Sequence, residues 1–253
     1  PFMSHISYNP FLAFAIYLAA YEIFFNKKLS KLMLWLYSFF SVIMIVNMFI
    51  TRGRAGHIMF FAVLLILIVQ YFRGQRIKAL IAILILLPGV FLTAYQASDI
   101  FNKRVDRAID EFVEFDEIIE LDITRKPHDV SNIYAQTSVG IRMLFTVNSW
   151  KIFTENPLLG VGTGDFPIEY KKMNQLNSIG APESTNPHNM YILVLAQLGA
   201  VGLLSMLSIF YYQIKLSFNN PSGFIRDFGI TLPLLFLLIM WSDSYLLGHY
   251  TGL

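Results

Sequence analysis

Asn186-Pro-His-Asn189 runs straight into Met190-Tyr-Ile-Leu-Val-Leu-Ala-Gln-Leu-Gly199-Ala-Val-Gly202-Leu-Leu-Ser-Met-Leu-Ser-Ile-Phe-Tyr-Tyr-Gln-Ile-Lys-Leu216. The second stretch is apolar for longer than the roughly 20 residues a helix needs to cross a bilayer. The first is polar and stands at its mouth, on the water side. A histidine placed there lies among free backbone N–H groups at a helix start. The spacing also reads H-N-x9-G-x-x-G, which links His188 and Asn189 to Gly199 and Gly202.

The rest of the chain agrees with a membrane setting. It has 253 residues, is 55% hydrophobic and carries 14% charged residues, where soluble domains carry about 25%. Its mean hydropathy is +0.54. The net charge of +2 says little, because the charges of a membrane protein matter by side. There is no cysteine, so no disulfide framework or thiolate metal site can form. The chain begins at Pro1 without an initiator methionine or a signal peptide. It therefore reads as the later part of a longer protein.

Six segments are apolar enough to span: 10–25, 32–50, 57–72, 77–95, 190–216 and 228–247. Lys27, Lys28 and Lys31 follow the first, Arg73, Arg76 and Lys78 follow the third, and Lys215 and Arg226 flank the loop after the fifth. Basic short loops stay cytoplasmic, and these three alternate correctly. The opposite side then holds 51–56, the long stretch 96–187 and the C-terminus. Between residues 99 and 183 lie 14 of the 17 acids but nine of the 19 bases. That stretch reads as a domain of its own.

Within it, 102–122 has helical spacing, with Val105, Ile109, Phe112, Val113, Ile118 and Ile119 against an acidic face. Residues 124–136 read as a loop. Residues 138–153 form a second amphipathic pattern, with Ser138 as N-cap and Ile141, Leu144, Phe145 and Ile152 on the buried side. Residues 156–166 are a glycine-rich turn. The expected fold is an all-α polytopic membrane protein of about six transmembrane helices: four over 1–95, a large and mostly helical external domain over 96–187, and two over 188–253.

Several polar residues bear on chemistry. Arg52 and Arg54 lie at the external end of a membrane helix, in Thr51-Arg-Gly-Arg54. A guanidinium donates two parallel hydrogen bonds and so suits phosphate; it also snorkels to lipid headgroups. Arg142 alone reads as a structural ion-pair residue. Pro187 suits a first helical turn, with Asn186 or Thr185 as cap. The positive end of the helix dipole disfavours an imidazolium at His188. A neutral ring can take a proton from a hydroxyl, and the plain alternative is a capping or interfacial histidine. Gly199 and Gly202 read as helix-packing residues. Gly160, Gly162 and Gly164 match neither a P-loop nor a dinucleotide fingerprint, and a tight turn that packs the domain on the helices explains them. Asp243, inside an apolar run, reads as partner to an arginine or support for a helix bend. The five histidines show no metal-ligand spacing, so no metal site or cofactor is expected, and nothing points to nucleic acid.

Taken together, several stretches resemble the bacterial O-antigen ligase family, which is related to the O-antigen polymerases. They are His-Asn-x9-Gly-x-x-Gly, Thr51-Arg-Gly53, Ser138-x3-Arg142 with Trp150, Asn156-Pro-Leu-Leu-Gly-Val-Gly-Thr-Gly-Asp-Phe166 and Asp243-Ser-Tyr-Leu-Leu-Gly-His249. The resemblance covers most of the chain. It implies a GT-C-like glycosyltransferase and a C-terminal half, with partner helices earlier in the same protein. It also implies inverting, metal-independent transfer of O-antigen from undecaprenyl diphosphate to lipid A-core, on the periplasmic face of the bacterial inner membrane. On that basis His188 is the base, Arg52 and Arg142 bind the diphosphate, and Arg54 and Asn189 contact substrate. Arg52, Arg142 and His188 are far apart in sequence and must converge.

Two other readings compete. An O-antigen polymerase would use the same donor with a second lipid-linked glycan as acceptor. A lipid-linked glycan transporter would place its polar residues near mid-membrane, whereas here they gather at one interface.

Overall fold

A computed structural model of the chain describes residues 5–51, 54–122, 138–177 and 181–244. Among them the regular structure is entirely helical. The helices are α1 (His5–Phe25), α2 (Lys31–Ile50), α3 (Arg54–Tyr71), α4 (Arg76–Ala97), α5 (Asp99–Asp122), α6 (Ser138–Glu155), α7 (Phe166–Asn177), α8 (Met190–Phe218) and α9 (Gly223–Ile239). Among the described residues, four helices are long and apolar enough to cross a membrane: Tyr8–Phe25, Lys31–Ile50, Arg76–Ala97 and Met190–Phe218. In α3 the apolar part is the shorter Ala55–Tyr71. The protein is thus an all-α, multi-pass membrane protein.

Helix ends differ from the sequence reading at two places. Pro10 lies inside α1, which starts at His5. The sixth apolar segment stops being helical at Ile239. Tight turns follow, with the N–H groups of Trp241 and Ser242 reaching back to the Leu238 and Ile239 carbonyls, so Asp243 lies beyond the helix. On α5, Ile109 and Val113 are exposed, Val105 is half-buried and Phe101 is buried. The predicted loop 124–136 lies outside the described residues. α6 starts at Ser138 itself, and its Leu144, Phe145 and Ile152 are buried as expected.

The chain forms two compact units, residues 1–106 with 222–235, and residues 107–221 with 236–253. In the first, α1 packs on α2 and α3 through Ala13, Ile16, Tyr17, Val63 and Ile68. At one end, a Cβ on Gly56 would lie 2.2 Å from the Asn9 Cβ, so only glycine admits that approach. At the other end the buried Asp227 on α9 accepts from Tyr21 at 3.2 Å and pairs with Arg73. Gln70 donates to Thr231 at 2.9 Å beside it. Buried carboxylates are costly unless paired and hydrogen-bonded, and this one ties α1, α3 and α9 together.

The second unit packs α6 and α7 against the start of α8 around Phe145, Ile152, Phe166, Tyr170, Leu193, Ala196 and Met240. Its least expected feature is a break in α8. Gly199 has φ 65° and ψ −166°, far from helical. The loop before α7 fills the gap. Val161 and Gly162 N–H groups donate to the Ala196 and Gln197 carbonyls, each at 2.9 Å, and Ala200 and Val201 N–H groups donate to the Pro157 and Leu158 carbonyls at 2.9 and 3.2 Å. These replace the two i→i−4 bonds that would join Ala200 to Ala196 and Val201 to Gln197. The glycine-rich turn therefore does pack on a helix, but Gly199 acts by breaking α8 and not by admitting a neighbouring helix.

Candidate functional site

The site is built from the segment that leads into α8. The buried Asn186 forms an Asx-turn: its side-chain oxygen accepts the His188 N–H at 2.9 Å. The same oxygen accepts the Ser244 hydroxyl at 2.7 Å, which anchors the segment to the chain after α9. His188 then takes φ 54°, a left-handed conformation that costs a non-glycine residue energy and clusters at functional sites. Asn189 is the N-cap, its side-chain oxygen accepting from Tyr191 N at 3.0 Å and Ile192 N at 3.3 Å. This corrects the predicted cap. Pro187 lies before the helix, because His188 at φ 54° is not helical and the helix can begin only after it. Asn189 was expected to touch substrate; here its side-chain oxygen is occupied by capping.

The His188 ring is fixed on two sides. It stacks on Phe145 of α6, with centroids 6.2 Å apart and planes 24° apart. Its Nδ1 lies 3.1 Å from Asp243 Oδ1. Burial pushes the Asp243 carboxyl up, but the His188 hydrogen bond, the Ser244 N–H and the nearby Arg142 charge hold it below the usual aspartate range. It is therefore ionised near neutral pH and can only accept. In the neutral ring the proton then lies on Nδ1, and Nε2 has the free lone pair. The side chain is 40% exposed, so the ring is open to solvent. The folded carboxyl has the lowered pKa, so its stabilising contribution is complete above the unfolded value of about 3.9. It is lost as pH falls through the folded value.

Asp243, read from the sequence as partner to an arginine or support for a helix bend, is hydrogen-bonded to an imidazole. Arg142, exposed on α6, is close enough for its charge to act on Asp243. His188, Asp243 and Arg142 thus belong to one neighbourhood of the second unit. Arg52 and Gly53 lie outside the described residues, and Arg54 is the first residue of α3. The adjacent Thr51 hydroxyl donates to Asn9 at 2.8 Å. Trp150 is half exposed and packs on Phe153 at 5.1 Å.

A carboxylate, an oriented imidazole and a nearby guanidinium make a site for proton abstraction beside developing negative charge. Asp243→Asn is expected to lower kcat by about 10²-fold or more, between the effects of losing an orienting partner and of losing the tautomer. Acceptor KM should hold, and Asp243→Glu should recover part of the rate.

In comparisons with known proteins, the family described as O-Antigen ligase matches residues 39–207, more than half of the chain. The matched stretch takes in Arg52, Arg54, Arg142, His188 and Asn189 and ends before Asp243. No curated protein matches the sequence.

Proposed function

Because the chain belongs to the O-antigen ligase family, we propose that it transfers O-antigen from undecaprenyl diphosphate to the lipid A-core. In this reading it is an inverting glycosyltransferase that needs no metal ion and works on the periplasmic face of the bacterial inner membrane. The chain crosses the membrane six times, with 96–187 outside. The observation that carries the reading is the His188–Asp243 pair at 3.1 Å, ahead of the first turn of an apolar helix long enough to span.

The acceptor hydroxyl attacks the anomeric carbon from the face opposite the diphosphate. His188 Nε2 takes the hydroxyl proton as the new C–O bond forms. Asp243 holds the ring and balances the imidazolium, without itself taking the proton. The bond from the anomeric carbon to the diphosphate breaks with its electron pair on the diphosphate oxygen, and undecaprenyl diphosphate leaves. Arg142 is proposed to bind that growing charge, and Arg52 and Arg54 are the guanidiniums that the family resemblance adds to this role. Fixed guanidiniums stabilise charge that develops in the transition state without reorganising. Asn189 contacts substrate through its side-chain nitrogen.

The test is a reconstituted transfer assay. Donor and lipid A-core together should give glycosylated lipid A-core. Chain growth with donor alone would instead favour the polymerase reading. In cells, loss of donor from the periplasm on His188→Ala would favour transport. Arg52→Ala and Arg142→Ala are each expected to lower kcat by about 10²–10³-fold, the usual effect of deleting one charge-stabilising donor. The lysine variants should also be impaired, because a point charge lacks the fork.

A further inference from the structure

We infer that the loop over residues 156–162 is a re-entrant membrane element, whose Leu158-Leu159 tip sits in the hydrocarbon of the surrounding bilayer lipids. Leu158 and Leu159 are 69% and 72% exposed, at the tip of a loop bonded directly to the backbone of α8. That helix has two different halves. Up to Ala196 it contributes Met190, Leu193, Val194, Leu195 and Ala196 to the buried interior. Beyond the break, Leu204, Ile209 and Leu216 are each about as exposed as the loop leucines. Residues 200–218 rise about 27 Å at about 1.5 Å per residue, close to the roughly 30 Å of a bilayer core. The part of α8 that faces lipid therefore starts where the loop is attached.

The hydrogen bonds make this placement possible. A broken helix in hydrocarbon leaves N–H and C=O groups that no water can satisfy, at several kcal/mol each. The loop supplies a donor or acceptor to each of the four groups freed at Gly199. Non-helical backbone is tolerated at membrane depth where protein meets its polar groups. Here the two irregular segments meet each other's. The apolar tip then covers the patched break with two leucines, continuous with exposed Leu198 and Val201 on α8.

The protein has no cysteine, so a single nitroxide label can be placed at Leu158→Cys or Leu159→Cys. The labelled protein is put in nanodiscs of phosphatidylethanolamine and phosphatidylglycerol with no glycan donor present. Collisions with oxygen and with a water-soluble nickel chelate are then measured by electron paramagnetic resonance. Thr163→Cys, on the exposed far side of the turn, serves as the aqueous reference, and Leu204→Cys as the lipid reference. Labels at 158 and 159 should lose nickel collisions and gain oxygen collisions, as at 204. Nickel accessibility at both positions equal to that at 163 would overturn the inference. Because donor is absent, protection also assigns the contact to bilayer lipid rather than to a polyprenyl chain.

Discussion

His188→Ala is expected to lower glycan transfer by about 10²–10⁴-fold, the usual contribution of a positioned general base. The protein should still insert and fold. Its kcat and kcat/KM should fall together, because the interaction lost exists only in the transition state. The ring is partly exposed and leans on Phe145 and Asp243, so removing it opens no large cavity. It does remove one of the hydrogen bonds to the Asp243 carboxylate, which keeps the Ser244 N–H. A second effect needs a control. His188 sits at φ 54°, and alanine tolerates that region less well than asparagine does. His188→Asn keeps a residue suited to the backbone while removing the base. Equal loss in both variants assigns the effect to chemistry; recovery in the asparagine variant would assign it to the backbone.

The second large effect concerns stability. Gly199→Ala is expected to destabilise the protein by about 2–6 kcal/mol, adding about 1–3 for backbone strain to about 1–3 for overpacking. A Cβ at Gly199 would lie 2.2 Å from the Leu158 carbonyl oxygen, and one at Gly160 would lie 2.3 Å from the Gln197 carbonyl carbon. Both obstacles are backbone, so neither can rotate aside. Against a total stability of about 5–15 kcal/mol this is enough to lower yield and apparent Tm steeply. Gly164→Ala is the control: its φ is 96° but nothing lies within 4 Å of the added carbon. It should carry strain alone. Thermal unfolding followed by fluorescence-detected size exclusion separates the two variants, and equal Tm values for Gly199→Ala and Gly164→Ala would refute the interlocked loop.

Helix existence was legible because apolar length is a local property. Helix ends were not. Pro10 reads as a start, yet it sits in the second turn of α1, where the chain accepts one missing N–H. The end of α9 was hidden because Met240 and Trp241 continue the apolar composition while the backbone turns. Gly199 reads as packing because a small residue in an apolar run looks the same whether a helix approaches it or breaks there. Its partner lies some 40 residues earlier, beyond any periodicity. The glycine turn itself was legible, since Gly160, Gly162 and Gly164 all take positive φ.

The site follows the same division. His188 was marked by its place before an apolar run. The helix start was misplaced by a few residues because Asn186 and Asn189 are both good caps, and only the fold commits Asn186 to an Asx-turn. An aspartate inside an apolar run needs a partner, so Asp243 was visible as a question. That its partner is His188, 55 residues earlier, is a tertiary fact.

The most direct measurement is a structure of the protein with lipid A-core acceptor bound. The account predicts an acceptor hydroxyl within hydrogen-bond reach of His188 Nε2, about 2.6–3.2 Å or through one water, while Nδ1 stays on Asp243. An acceptor hydroxyl beyond reach of that nitrogen, or an imidazole turned so that Nε2 faces Asp243, would contradict it.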